Sequence, residues 1–396
     1  MQAYSAFQSR DYRFLLTGLF LSNFGMQMLS VAVSWDLYVQ TKSALVLGNV
    51  GFVQVAPFIL FALFAGHVAD RYDRRRTMIL TQVLFLVASV FLMVGFRSVA
   101  VIYGCLFLTA CGRAFQWPAR QALLPHVVAE GTLANAITWN SSVQEISSVS
   151  GPAVAGILLA SAGSRTVYLV QIVFACLAMV CYVRLRFRSQ PVVDAPAPTA
   201  KSLLEGMHFV RGNKLILSAI SLDLFAVLFG GATALLPIYA ADILHAGARG
   251  LGWLRAAPSV GSVTMALILA HSSKIHRAGT ALLWAVAGFG AATIVFGISR
   301  SFGLSLAMLA LTGAFDNVSV VLRLSLLQTT PNYVRGRVLA FSSIFISSSN
   351  QFGAVESGWT AAWFGPVLSV AGGGLATIAV VAVCAAVSAP LRKWKQ

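Results

Sequence analysis

Long apolar runs separated by short polar connections set the rhythm of this chain. A helix that crosses about 30 Å of hydrocarbon needs about 20 apolar residues. Twelve runs reach that length: 14–39, 45–68, 77–96, 99–119, 134–160, 166–185, 215–241, 250–271, 279–298, 302–327, 338–363 and 366–389. One connection breaks the rhythm. Residues 186–214 hold Arg186 and Arg188, then PVVDAPAPTA, then KSLLEGMHFVRGNK. The Pro/Ala part cannot be helical throughout. The second part predicts a short amphipathic helix on the inner leaflet, with Leu203, Leu204, Met207 and Val210 on one side. This linker divides the runs six and six. The predicted fold is an all-α membrane protein of twelve transmembrane helices in two pseudo-symmetric six-helix bundles, 1–185 and 215–396, joined by the cytoplasmic linker 186–214.

Composition agrees with lipid as the solvent. The chain is 58% hydrophobic and 10% charged, with a mean hydropathy of +0.80. A soluble domain carries about 25% charged residues. No cleavable leader is expected: the run from Phe14 follows Arg10 and Arg13 directly and exceeds a signal h-region. A net charge of +16 would suggest nucleic acid in a soluble protein. Here the charges sit in clusters between the runs, so no nucleic-acid partner is expected.

Alternate connections, with both termini, hold 20 of the 28 Lys and Arg, and the other set holds five: Lys42, Arg97, Arg165, Arg249 and Arg300. The positive-inside rule then puts both termini in the cytoplasm of a cytoplasmic (inner) membrane. That orientation requires an even number of spans. Tryptophans near run ends, such as Trp35 and Trp363 outside and Trp117 and Trp394 inside, follow the aromatic-belt pattern. The five cysteines all fall in apolar runs and read as small core residues. There is no Ser/His/Asp set, zinc-spaced cluster or phosphate-binding Gly loop, so neither an enzyme nor a bound cofactor is expected.

The halves read as a repeat. At a shift of 203 residues Thr109 matches Thr312, Arg120 matches Arg323, and Arg113 falls opposite Asp316. Parallel six-helix repeats are a known transporter plan. Charges inside the spans mark pathways by default, because each costs about 2.5–3.5 kcal/mol at a helix centre. They are Asp36, Arg113, Glu145, Arg255, Asp223, Asp316, Arg323 and Glu356. The first helix of each triplet holds most of them and is expected to line a cavity, with the third facing lipid. Glu145 lies nearest mid-membrane and suits proton exchange. Arg113 and Asp316 sit at equivalent depths and are expected to neutralise one another. The alternative for each charge is a static pair that holds helices together.

Gly66-His-Val-Ala-Asp70-Arg71-Tyr-Asp73-Arg74-Arg75-Arg76 closes the second run. The spacing Gly-x3-Asp-Arg-x2-Arg-Arg resembles the cytoplasmic loop signature of the major facilitator superfamily. The resemblance implies a gate in which Asp70 with Arg71, Arg74 and Arg75 latches the two halves. The second-half copy keeps Lys274 and Arg277 but has Ser273 where the acid would fall. Gly151-Pro152-Ala-Val-Ala-Gly156 resembles the antiporter motif of the same superfamily, and Gly151, Pro152 and Gly156 are a candidate hinge. Gly112-Arg113-Ala-Phe-Gln-Trp-Pro118-Ala119-Arg120 and Thr330-Pro331-Asn-Tyr-Val-Arg335-Gly336-Arg337 are similar to the enterobactin-exporter-like branch. That resemblance covers nearly the whole chain. It implies a monomeric secondary transporter that exports a small amphipathic, drug- or siderophore-like molecule by alternating access and proton antiport. A proton-independent facilitator or lipid flippase of the same fold is the alternative. A membrane sensor would need a soluble effector domain, and every loop is too short for one.

Overall fold

A computed structural model describes residues 4–94, 98–187, 200–272 and 275–395. The side chains of 62, 63, 66, 67, 69, 70, 200–203, 332 and 333 also lie outside the description. The described residues are helical, and no strand occurs among them. Among the described residues, eleven helices are long and apolar enough to cross a membrane.

The chain divides into two compact units, Met1–Leu37 with Val53–Pro198, and Tyr38–Phe52 with Thr199–Gln396. The first unit holds most of α1 (Arg10–Thr41) and α2 (Ala44–Arg71), with α3 (Arg74–Met93), α4 (Val99–Val127) and α5 (Leu133–Val183). Asp73 caps α3 by accepting from the Arg75 N–H, which satisfies one of the donors a helix start leaves open. α5 is 51 residues long, about 76 Å at 1.5 Å per residue, or more than twice the hydrocarbon thickness. Its one non-helical residue is Gly163, at φ 76° and ψ 175°, a conformation that side-chain-bearing residues rarely adopt. The sequence pattern separates its runs at 160 and 166, on either side of this break.

The core of the first unit gathers Tyr12, Leu15, Met78, Leu123 and Tyr182, all fully buried or nearly so. Tyr12 also donates its hydroxyl to the Ala136 carbonyl at 3.0 Å, fixing α1 against the start of α5.

The second unit begins with α6 (Ala200–Gly212), the amphipathic helix of the linker. Val210 is buried in the unit's core, and Arg337 pairs with Glu205. Gly206 lies so close to α11 (Asn332–Phe364) that a Cβ would come 2.7 Å from the Arg337 carbonyl oxygen. Leu204 is exposed, and the side chain of Leu203 and residues 188–199 lie outside the described residues.

Asn213 caps α7 (Lys214–Phe229) by accepting from the N–H groups of Leu215 and Ile216. α7 stops at Gly230. After it come a 3-10 turn, Ala232–Leu235, a helical turn, Leu236–Ile238, and a π turn, Tyr239–Ile243. Then follow α8 (Gly247–His271), α9 (Ala278–Ile298), α10 (Phe302–Gln328), α11, α12 (Pro366–Val387) and the short α13 (Ala389–Lys393). α8 packs on α10, α9 on α12, and α7 on α11.

Candidate functional site

The most buried charges lie in the second unit. Asp223 on α7 pairs with Arg323 on α10, and their side chains are 4% and 5% exposed. Ser319, one turn before Arg323, donates to Asp223 Oδ1 at 3.2 Å. Removing two charges from water is offset only by close pairing and further hydrogen bonds. Here the pairing is incomplete, since Asp223 Oδ2 and Arg323 Nε have no hydrogen-bond partner.

Asp316 sits two turns before Arg323 on the same helix. Its carboxylate has neither a hydrogen bond nor an ion pair among the described residues. It lines a cavity of about 170 Å³ together with Gly230, Gly231, Thr312 and Asn350. The break at the end of α7 therefore forms one wall of the space that Asp316 faces. Gly230 and Gly231 fit there because a Cβ would meet the Phe289 ring and the Gly353 carbonyl oxygen, each at 2.4 Å.

The first unit carries an uncharged counterpart. Ser22 on α1 accepts from Gln82 Nε2 at 2.7 Å and from Gln116 Nε2 at 3.4 Å. Gln116 and Ser319 are related by the 203-residue shift; Gln116 reaches α1 in the first unit and Ser319 reaches α7 in the second. Arg120, the counterpart of Arg323, has a buried Nε without a hydrogen bond.

The remaining candidates are dispersed. Arg113 donates to Gln54 Oε1 at 2.8 Å. It has no ion pair among the described residues, and it belongs to the other unit from Asp316. Glu145 is exposed, and no described side chain bonds to it. Asp36 accepts from Ser164 and from Tyr168, the latter at 2.7 Å, which ties α1 to α5 just beyond the Gly163 break. Glu356 is partly buried and accepts from the Ser357 hydroxyl at 3.3 Å.

Of the gate residues, Arg74 donates to the Ala122 carbonyl at 3.0 Å, and Arg75 donates to the carbonyls of Tyr182 and Val183. Both hold backbone acceptors inside the first unit, and Arg75 neutralises the negative end of α5. Arg71 is exposed. The side chains of Gly66 and Asp70 lie outside the described residues. Gly151, Pro152 and Gly156 are buried in helical backbone, and a Cβ on Gly151 would come 2.7 Å from the Gln27 Cβ.

One cluster carries no motif in the sequence. Lys42 Nζ is 3.1 Å from Asp242 Oδ1, and the Tyr38 hydroxyl donates to Asp242 Oδ2, all within the second unit. The available signal was compositional: Lys42 is one of five basic residues in the poor set of connections, and Asp242 lies one residue past a predicted span.

Helices long and apolar enough to cross lipid, with an ion pair buried among those of the second unit, define a membrane protein. The chain belongs to the transmembrane secretion effector family, a transporter family of the major facilitator type, which it matches over residues 1–396. It is 25% identical over 393 residues to the enterobactin exporter EntS of Shigella boydii serotype 4 (strain Sb227), covering 97% of this chain and 93% of that one. It is 26% identical over 252 residues to macrolide efflux protein A of Streptococcus pyogenes, covering 62% of each chain. It is 26% identical over 181 residues to the staphyloferrin A transporter of Staphylococcus aureus (strain NCTC 8325 / PS 47), covering 44% of this chain and 46% of the relative. The match thus spans about half the length of the staphyloferrin A transporter and under two thirds of the macrolide efflux protein.

Among solved structures, a POT family transporter in complex with 5-aminolevulinic acid superposes with a TM-score of 0.77 at 11% identity, covering 97% of both chains. The nucleoside transporter NupG superposes with a TM-score of 0.72 at 12% identity, covering 95% of this chain and 99% of that one. At these identities the likeness establishes the fold.

Proposed function

We propose that this protein exports a small amphipathic molecule, of the siderophore or macrolide kind, from the cytoplasm by proton-coupled antiport. In this reading the chain crosses the membrane twelve times. The 51-residue α5 supplies two crossings hinged at Gly163, and both termini are cytoplasmic. The observation that carries the proposal is Asp316, on a lipid-length helix, whose carboxylate lines a cavity and has neither a hydrogen bond nor an ion pair among the described residues. A buried charge left without a partner is costly. A group kept in that condition is suited to hold an exchangeable proton or a charged part of the cargo. Asp223 and Arg323 neutralise each other, so Asp316 is the charge left to exchange. Asp70 with Arg71 would act as the inner latch, while Arg74 and Arg75 brace the first unit from below.

Everted membrane vesicles test this reading. They are energised to acidify their interior and monitored with a pH-sensitive dye. Addition of a macrolide or of iron-free enterobactin to vesicles containing the protein is expected to release protons, as cargo enters in exchange. Vesicles without the protein should stay acid. No proton release with any member of a siderophore and macrolide panel, from vesicles that hold correctly inserted protein, would count against coupled antiport.

A further inference from the structure

The cavity at the break in α7 has a consistent chemistry, and it is that of an acceptor site. Thr293 donates its hydroxyl hydrogen to the Phe289 carbonyl at 2.8 Å, and Thr312 donates to Leu309 at 2.7 Å. Asn350 donates from its amide to the Ile346 carbonyl at 3.0 Å. All three residues line the cavity. With those hydroxyl hydrogens committed to their own helix, the oxygens of Thr293 and Thr312 are left to face a ligand as acceptors, and Asn350 offers its Oδ1 beside one remaining amide hydrogen. α7 ends here, and a helix C-terminus carries a partial negative charge. Asp316 adds a full one. The charged groups that act on Asp316 are Asp223 and Arg323, and these two already form a pair. The lining contains no Lys, Arg or His, so one negative charge remains uncompensated. Phe289 and Phe296 complete the wall, and aromatic faces attract cations.

The geometry points to a monovalent-cation site in the second unit, with Asp316 as counter-ion and Thr293, Thr312 and Asn350 as neutral acceptors, occupied by the protonated amine of the cargo. The inference rests on the transport reading and names the chemical class that the cavity selects. At about 170 Å³ the space takes a compact ammonium head with its first carbons, and leaves the bulk of a larger cargo outside. A proton and an ammonium each bring one positive charge to the same carboxylate. Only one of them neutralises it at a time, which is the exclusivity that antiport requires. An inorganic ion such as Na⁺ shares the chemistry, and the test separates the two.

The full-length protein, purified in detergent, is titrated with butylammonium, Na⁺ or neutral butanol while its thermal unfolding is followed. Ionic strength is held with tetrapropylammonium chloride, whose charge is enclosed by four alkyl arms and carries no N–H. Saturable stabilisation by butylammonium, absent with butanol, is expected. Asp316→Asn should weaken the apparent affinity at least tenfold, and Asp316→Glu should retain part of it. Stabilisation by Na⁺ at lower concentrations than butylammonium would overturn the amine as occupant and give the site to the inorganic ion. No stabilisation by either cation, or an unchanged butylammonium response in Asp316→Asn, would overturn the site itself. If Asp316→Asn does not fold, Thr312→Val serves in its place, with a weaker response expected. Because the readout is binding, a failure here leaves proton release in the vesicle assay standing, and the two readings fall separately.

Discussion

Replacing Arg323 by methionine is expected to cost about 3–5 kcal/mol of folding stability, the range for stranding one member of a buried ion pair. The size follows from the surroundings. Asp223 is 3% exposed, and without Arg323 the Ser319 hydroxyl is the one described group that still hydrogen-bonds its carboxylate. The same change removes the positive charge that partly offsets Asp316. The double replacement Asp223→Leu with Arg323→Met should recover most of the loss, because an apolar pair of similar volume is often as stable as a buried ionic one. Thermal unfolding of the detergent-purified variants measures both. If the single variant unfolds at the wild-type temperature, the pair is not the internal brace described above. If it is destabilised and the double variant is restored, Asp223 and Arg323 are structural partners and Asp316 is left as the exchangeable charge.

The second large effect concerns how close α8 and α10 lie. A Cβ on Gly261 would come 1.7 Å from the Ala310 carbonyl oxygen, and one on Gly313 would come 1.8 Å from the Pro258 carbonyl oxygen. These obstacles are backbone atoms of a packed helix and cannot rotate aside. Even a methyl must push the helices apart, and overpacking of this kind costs about 1–3 kcal/mol, occasionally more. Gly261→Ala and Gly313→Ala should therefore each lower the folded yield sharply, and the larger Gly313→Leu should abolish it. Gly303→Ala and Gly372→Ala are the controls, since nothing lies within 4 Å of either added Cβ. In a helix interior they should be neutral or slightly stabilising. Size-exclusion profiles of fluorescent fusions separate the two groups. Equal yields across all four alanine variants would refute the close approach. Small residues that let backbones approach are a regular basis of helix association in lipid, where apolar surface gives no net driving force.

The helices were legible in the sequence because their signal is length, and length survives without tertiary information. The boundary between the runs ending at 160 and beginning at 166 anticipated the break at Gly163, although hydrogen bonding carries α5 across it as one element. The break within the seventh run was not legible. Gly230 and Gly231 sit in an apolar stretch where glycine is ordinary, and only the nearby Phe289 ring and Gly353 carbonyl make them necessary.

The candidate charges were legible one by one, because an ionisable residue in a long apolar run stands out. Their pairing was not. Within the first unit Arg113 bonds to Gln54, and within the second it is Arg323 that meets an acid, Asp223. Depth along a helix can be read from residue number, but the face a side chain occupies depends on how each helix is rotated in its unit. Asp36 shows the same limit. The hydroxyls of Ser164 and Tyr168 engage it, contacts that its position along the run does not reveal. The shift of 203 residues did carry structural information. It relates Gln116 to Ser319, which make polar contacts to α1 and to α7 respectively, with a charged acceptor in the second.

Taken together, these contacts give the two units different work. The first holds a neutral polar knot at Ser22, and the second holds a buried ion pair one helix turn or two from the Asp316 carboxylate. The most direct measurement is accumulation of labelled cargo by proteoliposomes containing only this protein. Iron-free enterobactin, staphyloferrin A and a macrolide would be presented with and without an imposed pH gradient, acid inside. The account predicts that at least one accumulates above its external concentration only while the gradient lasts, and that Asp316→Asn abolishes this accumulation. Gradient-driven accumulation that persists at the wild-type level in Asp316→Asn, or uptake indifferent to the gradient, would contradict it.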